Sequence, residues 1–447
     1  MTTAAAVPPA DRAVGAYLVL AAGSTALYTL IFTLNIVYQT TVVDLSPFQL
    51  VLVGTVLEAT VFLAEVPTGI VADLYSRKLS ILIGLVLVGA GFVVEGAVPT
   101  FATVIIGQLL WGVGFTFTSG AVEAWITDEV GPEAVGAVFV RAARLEQLVS
   151  VASIPAAAAL GLLAIQVPIV VGGVGFVVLA AVLARVMPER HFRPHASDRT
   201  TFGQIADQFR AGLRVARRAR VARILILVSL VVGLSSEAFD RLWIKHLVDS
   251  FDFPRLFGTT SEVVWFAGIA MVGALLGFGV TTLIQKVSPE TLTGHHPARL
   301  MATLAAVQVT TTLAFALAGA WWAAGAFWVT LAALWVRTVA GVLAAPVSST
   351  WMNRSLEPST RATVLSMESQ TNAIGQVVGG PALGLLGSRV SIRAALVASG
   401  LIATPVIGFY AALRDVRPPA GATEAAPPPP AVPPGGPDET PPEPGEL

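Results

Sequence analysis

The stretch Glu65-Val-Pro-Thr-Gly69-Ile-Val-Ala-Asp73-Leu-Tyr-Ser-Arg77-Lys78 separates two long apolar runs. It holds a small-residue helix end, an acid, a short turn and two bases. An apolar run that ends this way has reached the edge of a membrane. The Arg-Lys pair says which edge, because cytoplasmic loops carry the excess of Lys and Arg. The rest of the chain is laid out from this anchor.

The 447 residues are 55% hydrophobic and 12% charged, with a mean hydropathy of +0.75. Soluble chains are about 25% charged, so this composition belongs to a polytopic helical membrane protein in contact with lipid. The net charge of −1 points to no nucleic-acid partner. There is no cysteine, which excludes disulfides, thiolate metal sites and thiol chemistry. The five histidines form no metal-binding spacing, and no metal site is expected. There is no Walker loop, so ATP is not the energy source, and no nucleophile–base arrangement suggests an enzyme. The first apolar run is too long for a signal-peptide core of about 7–15 residues and reads as a first spanning helix.

A spanning helix needs about 20 mostly apolar residues. Twelve segments qualify, at roughly 15–38, 47–72, 78–97, 101–127, 138–163, 166–187, 223–247, 262–286, 299–319, 323–350, 362–386 and 391–413. The expected fold is all-α, with two six-helix bundles over 1–187 and 223–417. With the N-terminus in the cytoplasm, 21 of the 27 bases fall on the inner side, which places both termini there. In the linker 188–222, Phe202, Ile205, Phe209 and Leu213 recur at helical spacing among arginines. That pattern reads as a basic amphipathic helix on the membrane surface, with a solvated linker as the alternative. The Pro-rich tail, 418–447, has almost nothing to bury and is expected to be disordered.

The halves repeat. Trp125-Ile-Thr-Asp128-Glu-Val-Gly-Pro132 matches Trp351-Met-Asn-Arg354-Ser-Leu-Glu-Pro358. Arg141-Ala-Ala-Arg-Leu145 then matches Arg361-Ala-Thr-Val-Leu365, and Ala159-Leu-Gly-Leu-Leu163 matches Ala382-Leu-Gly-Leu-Leu386. Parallel six-helix repeats place a substrate site near the midplane between the halves.

With this organisation, the chain resembles the major facilitator superfamily of secondary transporters. The loop between segments 2 and 3 carries the resemblance, as Gly69-x-x-x-Asp73-Leu74-Tyr75-Ser76-Arg77-Lys78. Two positions depart from the family pattern: Leu74 where Arg is common, and Ser76 where Gly is usual. The resemblance implies a latch on the inner gate made by Gly69, Asp73, Arg77, Lys78 and Asp128, with Arg361 at the start of segment 11. A plain charge anchor is the alternative. Gly375 to Gly384 of segment 11 resembles the Gly-Pro-x-x-Gly pattern of family antiporters, which normally lies on segment 5. Close helix packing explains it equally.

Ionisable residues deep in a membrane are costly and need a reason. Glu58, Glu146, Glu237 and Arg337 are the candidates for proton coupling, because desolvation favours the neutral form of a carboxyl group and lets it exchange protons. Glu237 and Arg241 are one turn apart and can pair with each other; Glu237 or Glu58 is the expected partner of Arg337. By family analogy segments 1, 4, 7 and 10 line the cavity. Asn35, Tyr38, Gln39, Ser119 and Trp335 are its candidate lining residues. The reading is a proton-coupled transporter of the bacterial inner membrane that exports a hydrophobic small molecule, with the proton gradient in place of a cofactor. A proton symporter importing a metabolite and a non-transporting sensor are the alternatives.

Overall fold

A computed structural model describes residues 9–194, 220–287, 296–321, 325–355 and 358–413. The predicted surface helix and the Pro-rich tail lie outside them. Twelve helices run in order: α1 Asp11–Thr41, α2 Pro47–Leu74, α3 Arg77–Ala97, α4 Phe101–Val130, α5 Pro132–Gly161, α6 Val167–Val186, α7 Arg220–Ser250, α8 Glu262–Gln285, α9 Pro297–Trp321, α10 Ala326–Ser355, α11 Pro358–Arg389 and α12 Ile392–Ala411. Ten are long and apolar enough to cross a membrane. The other two, α5 and α11, have 30 and 32 residues and interrupt their apolar runs with Arg, Glu, Gln and Asn.

Local chemistry sets the boundaries. Ser46 and Gln49 form a capping box ahead of Pro47 at the start of α2, and Thr100 and Thr103 do the same for α4. Gly131, at φ 85°, makes the turn from α4 into Pro132 of α5. Three of the helices are broken rather than continuous: α1 at Thr33–Leu34, α4 at Ser119–Gly120 and α12 at Thr404. Hydropathy cannot show such breaks, because they interrupt hydrogen bonding and leave the apolar run intact.

Packing repeats with a shift of six helices. The pairs α1·α5, α1·α6, α2·α4, α3·α4 and α3·α6 recur as α7·α11, α7·α12, α8·α10, α9·α10 and α9·α12. Between the halves, α2 packs on α11 and α5 on α8, which is the same relation read from either half. The halves meet at one end. One apolar cluster joins Leu34, Val37, Leu50 and Val53 of the first half to Phe239, Leu242, Val263 and Phe266 of the second. At the other end, which bears Arg77 and Lys78 and is called the basic end here, the two core clusters stay within their own halves.

Candidate functional site

The loop between α2 and α3 is tied into the first half. Arg77 pairs with Asp128 of α4, and its Nη1 donates to the Ala124 carbonyl at 2.8 Å. Lys78 Nζ donates to the carbonyls of Ala184 (3.0 Å) and Met187 (2.7 Å) at the end of α6. Ser76 explains its own departure from the family pattern. Its Oγ accepts from Leu79 N at 2.9 Å, capping α3, and its hydroxyl donates to Glu189 Oε2 at 2.6 Å. The other oxygen of Glu189 accepts from Lys78 N at 2.9 Å. Trp125 Nε1 donates to the Pro188 carbonyl at 2.7 Å, and the buried Glu129 accepts from Arg190 N (2.7 Å) and His191 N (3.0 Å). Residues 188–191 are thus strapped over the ends of α3 and α4.

Ser76→Ala is expected to lower stability by about 1 kcal/mol, the usual worth of an N-cap. Ser76→Gly should cost less, since glycine is itself a fair N-cap. Thermal unfolding of the purified protein in detergent checks both.

On the side facing the second half, the same loop has no partner among the described residues. Asp73 is exposed, with no ion pair among the described residues. Among the described residues, no neighbouring atom lies within 4 Å of where a Cβ on Gly69 would sit. Arg361 begins the second turn of α11, and its side chain lies outside the described residues. The reason is the parting of the halves at the basic end.

At the closed end the seam between α2 and α11 is built on small residues. Phe48 N donates to Ser388 Oγ at 2.8 Å across it. Gly380 and Gly384 of α11 face Thr55, Val51 and Phe48 of α2, while Gly375 and Gly379 lie on the α7 backbone at Leu230 and Leu234. The Gly-Pro stretch of α11 therefore packs both ways. The predicted Glu237–Arg241 couple forms, with Nε 3.0 Å from Oε1, Glu237 buried and Arg241 partly buried. It presses on α2 at Gly54, where a Cβ would collide with both side chains. One turn along α2, Glu58 lies within the field of that couple. It also lines a cavity of about 410 Å³ along the seam, together with Glu65, Ser229, Glu368 and Asn372.

A second cavity, of about 200 Å³, lies between α1, α7, α8 and α10. Phe32, Trp243, Phe266 and Trp335 give it an aromatic wall, with Thr33 and Thr338 as its hydroxyls. Here α8 takes the place that analogy gave to α4. Trp335 lines this cavity. Ser119 is exposed at the break in α4 and is absent from this wall.

Two expectations need correction, those for Arg337 and for Asn35, Tyr38 and Gln39, while that for Glu146 is not contradicted. Arg337 meets neither Glu237 nor Glu58. It turns into the second half, with Nε 3.2 Å from Thr312 Oγ1 and its guanidinium 3.9 Å from the centre of the Phe239 ring. Glu146 is half-buried on α5 and makes no ion pair among the described residues. Asn35, Tyr38 and Gln39 line neither of these cavities; all three are buried against Glu95 of α3.

Glu95 lies two residues from the end of α3, and its side chain is fully enclosed. Asn35 Nδ2 and Gln39 Nε2 each donate to its Oε1 at 2.7 Å, and Gln108 Nε2 of α4 donates to its Oε2 at 3.1 Å. The Tyr38 hydroxyl donates to its main-chain carbonyl at 2.8 Å. The signal for this cluster was on the page: Asn35 and Gln39 one turn apart in an apolar helix, and an acid in segment 3.

No curated protein matches the sequence. Among solved structures, the fold is similar to the nucleoside transporter NupG (TM-score 0.70, 13% identity, 90% of this chain and 99% of that one). It is also similar to a POT family transporter in complex with a thioalcohol-conjugated peptide (0.68, 12% identity, 90% and 96%). A third is a bacterial homologue of the human lysosomal transporter Spinster, inward-facing and occupied (0.67, 15% identity, 91% and 97%). At these identities the likeness concerns the fold alone. The family model described as Major Facilitator Superfamily matches residues 16–317, more than half of the sequence, and the chain belongs to that superfamily of membrane transporters.

Proposed function

We propose that this protein is a proton-coupled secondary transporter of the bacterial inner membrane, working by alternating access and exporting a hydrophobic small molecule. The observation that carries the reading is the seam: packed at one end, parted at the other, with an aromatic cavity against the packed end. With both termini in the cytoplasm, as the distribution of bases suggests, this arrangement is open to the inside. An aromatic wall with two hydroxyls suits an apolar or amphipathic compound better than a sugar or a phosphate.

In this reading Glu58 carries the coupling proton. It is reached from the seam cavity and lies beside Glu237 and Arg241, which belong to the other half. A change of its charge acts directly on the contact that holds the halves together. Asp73 and Gly69 have no partner among the described residues and engage the start of α11 when the basic end closes. Arg77, Lys78 and Asp128 hold the loop in place for that step.

The test uses inverted vesicles with an inside-acid gradient and a panel of dyes and drugs. Addition of a transported compound is expected to release protons from the vesicle interior. Protons moving in the same direction as the substrate would make the protein an importing symporter. No movement across a wide panel would favour a sensor.

A further inference from the structure

Glu95 is a buried acid for which the transport scheme has no use. It forms no ion pair among the described residues. From α1 it is faced by Asn35, Tyr38 and Gln39, and from α4 by Gln108, with Gly107 allowing the close approach. From α6 the neighbours at this level are Ile169 and Val170, beside Gly96. The charge that reaches it is Arg241 of α7, which is already bonded to Glu237. An enclosed anion with no cation in contact is costly. Three N–H donors make the anion tolerable, and they come from amides, which can reverse.

Gln39 Oε1 is also buried without a partner among the described residues, but its Nε2 is shared with Asn35 Oδ1 at 3.1 Å, whereas the Gln108 amide bonds Glu95 alone. Gln108 Oε1 is buried and has no hydrogen-bond partner, while Gln108 Nε2 donates to Glu95 Oε2. A side-chain amide offers an acceptor or a donor in nearly the same place, depending on a half-turn about its terminal bond. With Glu95 ionised, the N–H side faces the carboxylate. With a proton on Oε2, the half-turn brings Oε1 round to accept from that O–H. The glutamate–glutamine hydrogen bond is kept in both states, and the two differ by one proton. Meanwhile Oε1 of Glu95 keeps both donors from α1, so the segment next to the cavity residues Phe32, Thr33 and Ile36 stays clamped throughout.

We propose that Glu95 is a proton-binding site of the first half, separate from the carboxylates of the seam, with Gln108 as its reversible partner. An O–H bond forms at Oε2 with a proton taken from water, and the same bond breaks to return it. The assignment goes beyond the transport reading and does not depend on what the protein carries.

Infrared difference spectra of the full chain in lipid, acid minus neutral, test it without a substrate. The parent is expected to show the C=O stretch of a protonated carboxyl group that is missing in Glu95→Gln. This variant keeps the size of the side chain, and Gln108 can reverse to meet it. In Gln108→Met the band should remain and move to higher frequency, because the proton has lost its acceptor. A Glu95→Gln spectrum identical to that of the parent would overturn the proposal. Should that variant not accumulate, a Gln108→Met spectrum with every carboxyl band unmoved would overturn it equally.

Discussion

Gly54→Leu is expected to open the closed end of the seam. At this position α2 meets the Glu237–Arg241 couple of α7 with no room for a Cβ, and the couple is held from behind by the rest of the second half. A leucine cannot be absorbed by rotating one flexible side chain, because the atoms it meets belong to a buried, mutually bonded pair. Overpacking of this kind costs about 1–3 kcal/mol. The cost falls only on the arrangement in which the closed end is packed, so the population of the opposite arrangement should rise by about 5- to 150-fold. The chain has no cysteine, so Val51→Cys provides a single reporter. Val51 is fully buried in the seam beside Gly380 and Gly384. Labelling by a membrane-impermeant maleimide from the closed side should be slow in the Val51→Cys background and faster in the Gly54→Leu double variant by a similar factor. Unchanged labelling would mean that this contact is not the one that opens.

The fold was legible because its determinants are local and one-dimensional. Runs of apolar residues of spanning length, breakers between them and a biased distribution of bases mark the helices and their direction. The Trp125 and Trp351 stretches betrayed the repeat that the packing pairs now display. The Arg77–Asp128 pair and the Glu237–Arg241 couple were also accessible, the first through the family pattern and the second through helical spacing. Residues whose meaning depends on which way a helix face points were misread. Asn35 and Gln39 are polar residues in an apolar helix, which fits a cavity wall as well as a buried cluster. Only the position of Glu95, two helices away, decides between them. Arg337 failed for the same reason: a cation on a central helix can turn toward the seam or into its own bundle, and sequence does not carry the rotation. Ser76 stands where the family pattern has Gly. It proved to be a helix cap and a fastening to Glu189, a partner that only the tertiary fold brings near.

The largest effect on stability is expected from Arg241→Leu. The side chain of Glu237 is 4% exposed, and Arg241 is its only ion-pair partner among the described residues. Removing one member of a buried ion pair typically costs about 3–5 kcal/mol, because the remaining charge is left enclosed and unpaired. Glu58 and Asp240 add acidic groups to the same neighbourhood, and no other cation pairs with Glu237 among the described residues. Thermal unfolding in detergent should therefore show a marked drop for Arg241→Leu. The double variant Glu237→Gln, Arg241→Leu should recover most of it, since a buried pair replaced by neutral groups of similar volume is often close to neutral in stability. That recovery separates the charge from the shape of the site. If the double variant folds well and binds substrate but no longer links substrate movement to protons, the couple matters for coupling as well as for packing. If the single variant is as stable as the parent, Glu237 does not need this cation, and the closed seam rests on its apolar cluster and glycine contacts alone.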